Sequence, residues 1–297
     1  MPLVSRPFSV NTYCLSKVWF WTGSVDLRIG DIKAITSKVK SYIYQDLFQK
    51  PSEVLLHRAV EEGGLGLHHV ESKALAHLIA TFLQTASGSR FQLSLFHSIM
   101  YRYHVEEEAH LPDPGYTPYY TEKFFKIIKN VRQNTPLNPL NMTIKEWYRY
   151  LLEENVTRRN LDEEGRSELI PCKVELNHPN ICWSESYRLC RLRGLSPSEK
   201  TFLFKLIHLL LPSKERVHHL TNQGTPLCWC GAGVPETYEH LFFQCIKNAE
   251  AGQSVLICAK SYCRTMTEEE CLRLELNTDD PFQLASTVIL ATGLKYI

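Results

Sequence analysis

The sequence predicts a mainly α-helical protein laid out in three successive stretches, 1–85, 86–194 and 195–297. Three observations carry the prediction. Over 31–47, Ile32, Ile35, Val39, Ile43 and Leu47 recur at helical intervals. Over 72–85, Ala74, Leu75, Leu78, Ile79 and Phe82 do the same. The run Ser196-Pro197-Ser198-Glu199 is a capping box with proline at the first helical position, a strong local signal for a helix start.

The first stretch brings in Val18-Trp19-Phe20-Trp21 and then the helix over 31–47, which Pro51 ends. Gly63-Gly64-Leu65-Gly66-Leu67 precedes the second helix. A glycine-rich loop before a helix invites a phosphate-cradle reading. This spacing fits neither the dinucleotide fingerprint nor the P-loop, and no Lys-Ser/Thr pair follows. The expectation is a tight turn with close backbone approach. In the second stretch, Pro112, Pro114, Gly115 and Pro118 mark a loop. Thr121 then caps a helix with Phe124, Phe125, Ile128 and Val131 on its apolar face. Lys123, Lys126, Lys129 and Arg132 flank that face, a pattern open to either a solvated surface or a phosphate-facing one. A further helix runs over 143–156, and 162–165 reads as a charged turn. In the third stretch the helix begun at Ser196 buries Phe202, Leu203, Leu206, Ile207 and Leu210. Pro212 stops it, and Ser213 caps a short basic segment over 214–220.

The formal net charge is +1, so no global basic field points to a nucleic-acid partner; any such partner has to be read from local patches. The charge is uneven. From 183 to 220 there are seven Lys/Arg against three Glu, whereas 246–281 carries seven acids against four bases. No apolar run approaches the ~20 residues of a spanning helix, and the N-terminus lacks the apolar core of a signal peptide. The expected chain is soluble and intracellular, cytoplasmic or nuclear, with no membrane partner. Ten cysteines suit a disulfide scaffold only in a small secreted protein, so these are expected to be reduced. Cys14, Cys172, Cys182, Cys190, Cys258, Cys263 and Cys271 read as ordinary core residues.

Four residues stand apart by their spacing. Cys228, Cys230, His240 and Cys245 form C-x-C-x9-H-x4-C within 18 residues. Three thiolates and an imidazole are the donor set of a structural zinc site, and they fill the tetrahedron with no position left for water. Gly231 and Gly233 let the backbone fold sharply after the first pair, and a short helix returns the second pair. Positions five apart on an ideal helix diverge by about 140°, so that helix must start near His240 or distort.

These residues, with others in the same order, resemble the C-terminal region of reverse transcriptases from non-LTR (LINE-type) retrotransposons. Phe20-Trp21-Thr22-Gly23 resembles the tryptophan-glycine step of the thumb, and Gly63-Gly64-Leu65-Gly66-Leu67 the turn that follows it. Residues 143–152, with Trp147 and Tyr148, resemble the intervening helix, and 195–220, with Leu211-Pro212-Ser213, the helix pair before the zinc site. Pro226-Leu227-Cys228-Trp229-Cys230 and Glu236-Thr237-Tyr238-Glu239-His240-Leu241-Phe242-Phe243-Gln244-Cys245 are similar to the terminal Cys-Cys-His-Cys signature. The resemblance covers about 17–275. It implies a thumb-like helical segment over 1–85, an irregular and helical connector over 86–194, and a helical zinc-binding domain over 195–297 that carries a small zinc knuckle.

A polymerase also needs paired aspartates that hold two metals on a strand turn. The adjacent pair here, Asp279-Asp280, lies in a polar loop before proline and does not fit. The expectation is therefore a non-catalytic chain without the palm and without a preceding endonuclease part. Its partner would be RNA or single-stranded DNA, with no small-molecule substrate and one structural Zn2+. Phosphate contacts would come from Arg188, Arg191, Arg193, Lys205, Lys214 and Arg216, and Trp229 would stack on bases. The alternative is a host-derived protein–protein interaction module with the same structural zinc. A zinc hydrolase would need an open coordination position, which a filled Cys-Cys-His-Cys set denies.

Overall fold

A computed structural model of the chain describes residues 1–22, 27–45, 47–86, 127–128, 131, 139–160, 167–169, 175, 183–189, 192, 194–261, 293 and 295. The described chain is mainly α-helical, in agreement with the sequence prediction. The helices are α1 (Arg6–Ser9), α2 (Ser16–Thr22), α3 (Ile29–Tyr44), α4 (Glu53–His57), α5 (Val70–Ala86), α6 (Ile144–Leu152), α7 (Trp183–Leu189), α8 (Pro197–Ile207), α9 (Lys214–Thr221) and α10 (Ala249–Lys260). A short antiparallel hairpin pairs β1 (Arg158–Asn160) with β2 (Ser167–Leu169), Arg158 opposite Leu169. No helix among the described residues is long and apolar enough to cross a membrane. The loop expected over 112–118, the charged turn over 162–165, Phe124, Phe125, Asp279 and Asp280 lie outside the described residues.

Inter-residue contacts divide the chain into two units. One comprises Met1–Phe8, Ile43–Leu67 and Ile170–Ile297; the other comprises Ser9–Tyr42 and His68–Leu169.

The first unit is built around α8. Both halves of the predicted capping box form: the Ser196 side chain accepts from the Glu199 N–H, and the Glu199 carboxylate accepts from the Ser196 N–H at 2.7 Å. Leu203, Leu206 and Ile207 then enter a core with Tyr187, Leu195, Tyr238, Phe242, Phe243, Leu256 and Ala259. Burying aliphatic and aromatic surface of this size is the main stabilising term, at about 1.5–3 kcal/mol for each fully buried large side chain. The helix ends at Ile207, short of Pro212, because His208 leaves the helical path and Leu209 takes φ +54°. His208 is buried, and its Nε2–H donates to the Gly63 carbonyl at 2.9 Å. The Gly63–Leu67 run is the tight turn expected. Its Leu65 and Leu67 N–H groups bond the Leu55 and Leu56 carbonyls, and a Cβ on Gly64 would lie 2.0 Å from the Arg58 carbonyl oxygen. Arg58 is 1% exposed and forms a 2.8 Å ion pair with Glu175, which also accepts from the Tyr187 hydroxyl at 2.7 Å. A buried guanidinium needs such a partner, since an isolated charge in the interior costs several kcal/mol.

In the second unit α5 packs against α2 and α6. Val70, Ala74, Leu75, Ala76, Ile79, Ala80 and Leu83 are buried along α5. Trp147 and Leu151 bury on α6, which starts from a capping box of Thr143 and Glu146. The Tyr148 hydroxyl accepts from the His69 N–H at 3.1 Å at the start of α5. Val131, expected on an apolar helix face, is helical and buried, whereas Ile128 is half-buried and its neighbour Ile127 is the buried one.

Two cysteines depart from the sequence expectation: Cys14 and Cys258 are exposed, not core. On α10 the buried side is set by Leu256 and Ala259, which share one face of the helix, and Cys258 falls on the opposite face and turns to solvent. Cys14 likewise lies on the outer side of a wide π turn, Val10–Leu15, whose buried residues are Val10 and Leu15. Cys172, Cys182, Cys190, Cys263 and Cys271 lie outside the described residues.

Candidate metal centre

The four residues singled out by spacing converge in the first unit. Cys228, Cys230, His240 and Cys245 are all buried, and their ligand atoms lie within 4.8 Å of one another. Cys228 Sγ is 3.8 Å from Cys245 Sγ, and Cys230 Sγ is 3.5 Å from His240 Nε2. The sulfur separation is far beyond a disulfide bond of about 2.05 Å. The set could hold one metal ion.

Local backbone structure explains the convergence. Residues 226–236 form a narrow loop closed by a bridge between Leu227 and Pro235. Cys228 N–H donates to Val234 O at 2.8 Å, and Glu236 N–H donates to Pro226 O at 2.9 Å. Gly231 and Gly233 sit at φ +83° and +70°, with open space where a Cβ would go. Their role is conformational, since an L side chain in that region is strained. The Glu236 carboxylate accepts from the Lys214 N–H at 2.9 Å, and the Tyr238 hydroxyl donates to Leu211 O at 2.7 Å. Those bonds pin the loop's exit to the residues around the start of α9.

The second ligand pair resolves the five-residue spacing by distortion. His240–Gln244 is a π turn, and the Cys245 N–H donates to the His240 carbonyl at 2.6 Å, an i to i+5 bond. The wider turn brings residues five apart back toward one side, which an α-helix would not do. Phe242 and Phe243 anchor the turn in the main core. The His240 N–H donates to the Thr237 hydroxyl at 3.1 Å.

The thiols are not equivalent. Burial pushes the Cys228 thiol up, and the nearby Cys230 and Cys245 thiols add to that. The Ala232 backbone N–H draws Cys230 down. A thiolate at Cys228 therefore needs a positive charge beside it, and a bound cation deprotonates a coordinating thiol outright.

The proposed phosphate contacts are less uniform. Arg188 is exposed at the last turn of α7. Lys205 is half-buried, its pKa lowered by burial and by the Arg6 charge. Lys214 and Arg216 share α9 and are half-buried, and Arg216 Nε donates to Gln49 Oε1 at 2.6 Å. Arg191 and Arg193 lie outside the described residues. Trp229, between two buried ligands, is 55% exposed. Sequence reasoning missed its partner: the Lys247 ammonium lies 3.8 Å from the Trp229 ring centroid. Nothing in the 17 residues that separate them signals the contact, which brings together the segments carrying the two pairs.

No protein-family model matches the chain, and comparison with curated proteins finds no match.

Proposed function

We propose that the chain is a zinc-binding, nucleic-acid-binding module related to the C-terminal region of non-LTR retrotransposon reverse transcriptases, and that it acts without catalysing polymerisation. The observation that carries the metal assignment is the shape of the ligand set. For Zn–S of about 2.3 Å and Zn–N of about 2.0–2.1 Å, tetrahedral edges are about 3.8 Å between sulfurs and about 3.6 Å between sulfur and nitrogen. The corresponding separations here are 3.8 and 3.5 Å. Three cysteines and a histidine favour zinc over the harder cations, which take oxygen ligands. With four protein donors the ion would be structural: Cys228, Cys230, His240 and Cys245 would hold it, and it would supply folding free energy.

The nucleic-acid reading is supported by the local excess of basic residues over 183–220 and by an exposed tryptophan held beside the cage. Arg188 and Trp229 are the best placed of the predicted contacts, with Lys205, Lys214, Arg216, Arg191 and Arg193 completing the set. The compartment that fits this role is intracellular. A protein-binding module with the same zinc is favoured by one observation, the exposure of Leu227, Val234 and Ile246 around the knuckle.

The experiment is elemental analysis with RNA titration at several salt concentrations. Purified protein should carry about one zinc per chain, and Cys245→Ser should lose it. On single strands each neutralised phosphate adds about −0.7 to the slope of log K against log salt, so four contacts give about −3 and doubling the salt weakens binding roughly eightfold. Arg191→Ala with Arg193→Ala should flatten the slope by about one to two units. A slope near zero at low salt would overturn the nucleic-acid reading in favour of the protein-binding one and leave the zinc untouched. Metal-free, fully folded protein would overturn the zinc.

A further inference from the structure

Trp229 and Lys247 are neighbours because of the ligand set. Trp229 is the single residue between Cys228 and Cys230, and Lys247 lies two residues beyond Cys245. Closing the cage joins those two chain segments, and the Lys247 ammonium then comes to rest 3.8 Å from the indole centroid. More than half of the Trp229 surface stays open with that contact made. The residues on either side of Trp229 are buried and the indole is not, so core packing does not account for it.

The ammonium sits over one face of an indole that is still more than half exposed, and an aromatic surface carrying a held positive charge matches one nucleotide. The ring offers a stacking surface that any base can use, and the ammonium offers a phosphate contact. The base must be unpaired, because both faces of a base inside a duplex are already covered by its neighbours. We infer that Trp229 and Lys247 form a single-nucleotide subsite for an unpaired base, which makes the module select single-stranded RNA or DNA over duplex. The inference rests on the nucleic-acid reading above and adds to it a contact residue and a physical basis for preferring single strands. Lys247, held over the ring, is the phosphate partner of that nucleotide.

The test uses the zinc-loaded full chain with three fluorescein-labelled probes: a short oligouridylate, a short oligothymidylate and a mixed-sequence DNA duplex. Wild type should bind both single strands more tightly than the duplex. Trp229→Ala should weaken single-strand binding about 5- to 150-fold at every salt concentration, the range expected for one lost base stack, and leave duplex binding unchanged. Trp229→Phe, which keeps an aromatic face, should retain most of the affinity. Lys247→Ala should flatten the single-strand salt slope by about 0.7, and Lys247→Arg should restore it. Zinc content, measured on every variant, should stay that of wild type. A wild type that binds nucleic acid while Trp229→Ala and Lys247→Ala bind as it does would overturn the subsite and leave the broader reading standing. Equal weakening of single-strand and duplex binding by Trp229→Ala would overturn the strand preference and with it the subsite. Wild type that binds none of the three probes at low salt would overturn the nucleic-acid reading itself.

Discussion

Gly252 offers a test of the packing that carries the candidate metal site. It lies in the first turns of α10, and a Cβ built on it would sit 1.7 Å from the Phe242 carbonyl oxygen and 3.3 Å from Phe243 Cδ1. Both residues belong to the π turn that holds His240 and leads into Cys245. Two effects oppose each other in Gly252→Ala. Helix propensity favours alanine by about 1 kcal/mol. Against it, Cβ contacts essentially never fall below 3.0 Å, so α10 and the turn must separate by about 1.3 Å or more. The obstacle is a backbone carbonyl, which cannot swing aside as a side-chain end can. Its turn is also tied to α10's start, where Asn248 Nδ2 donates to Leu241 O at 3.1 Å. Overpacking of this kind costs typically about 1–3 kcal/mol, and backbone obstruction belongs at the upper end. The net expectation is a loss of about 1–2 kcal/mol. The shifted carbonyl lies two residues from His240, so the ligand geometry suffers too. If the metal-bound form bears about 1.4 kcal/mol of the strain, zinc affinity falls about tenfold. Thermal melts and competition with a chromogenic chelator measure the two losses. A Gly252→Ala variant that melts higher than wild type and holds zinc equally well would refute the argument, leaving propensity as the controlling term.

Two other expectations follow from particular residues. Burial lowers the His208 pKa to about 4, well below its ordinary value near 6.5. Folding therefore favours the neutral ring: the stability it confers is complete above about pH 6.5 and is lost as pH falls toward 4. His208→Gln should flatten that part of the pH–stability profile, and a profile identical to wild type would show that the ring does not titrate with folding. On the non-catalytic reading proposed above, the chain should extend no primer on any template with Mg2+, since the adjacent aspartates of its sequence, Asp279-Asp280, stand in a polar stretch before proline; homogeneous protein that does so would reveal a polymerase site.

What the sequence made legible was local. The capping box at Ser196 and the Ser213 cap of α9 both form where they were read, since the signal and the structure occupy the same few residues. The cluster of Cys228, Cys230, His240 and Cys245 was legible for the same reason, and even the need for a distorted turn followed from the five-residue spacing. Helix ends set by distant partners were not legible. The stripe over 31–47 suggested helix to Leu47, yet α3 stops at Tyr44, where the Arg6 guanidinium donates to the carbonyls of Ile43 and Gln45. Likewise α8 stops at Ile207 because His208 is held by Gly63, 145 residues away in sequence. Periodicity describes a face, and a terminus fixed by an arginine or histidine from elsewhere leaves no local trace.

The two halves of the candidate metal site rest on different supports, which predicts how it fails. His240 and Cys245 stand on a turn whose Phe242 and Phe243 belong to the main core with Leu203, Leu206 and Leu256. That core is aliphatic and aromatic, and its burial free energy is present with or without an ion. Cys228 and Cys230 have no such support. Within 219–235 the buried residues are those two cysteines alone, and the cluster they join contains only Cys245 besides. A loop this exposed is held by a few backbone bonds and by whatever binds its thiols. With no ion, the three thiols bury polar groups at little gain, and Cys228 resists ionisation in that setting. Removing the metal should therefore open 223–235 locally and leave α8, the π turn and α10 packed. Amide hydrogen exchange before and after chelation reads this directly, since local opening and global unfolding expose different sets of amides. The Cys228 and Glu236 amides should lose protection on chelation, while those of 203–207 on α8 should keep theirs. Equal loss across both sets would refute the division and make the ion a support of the whole unit.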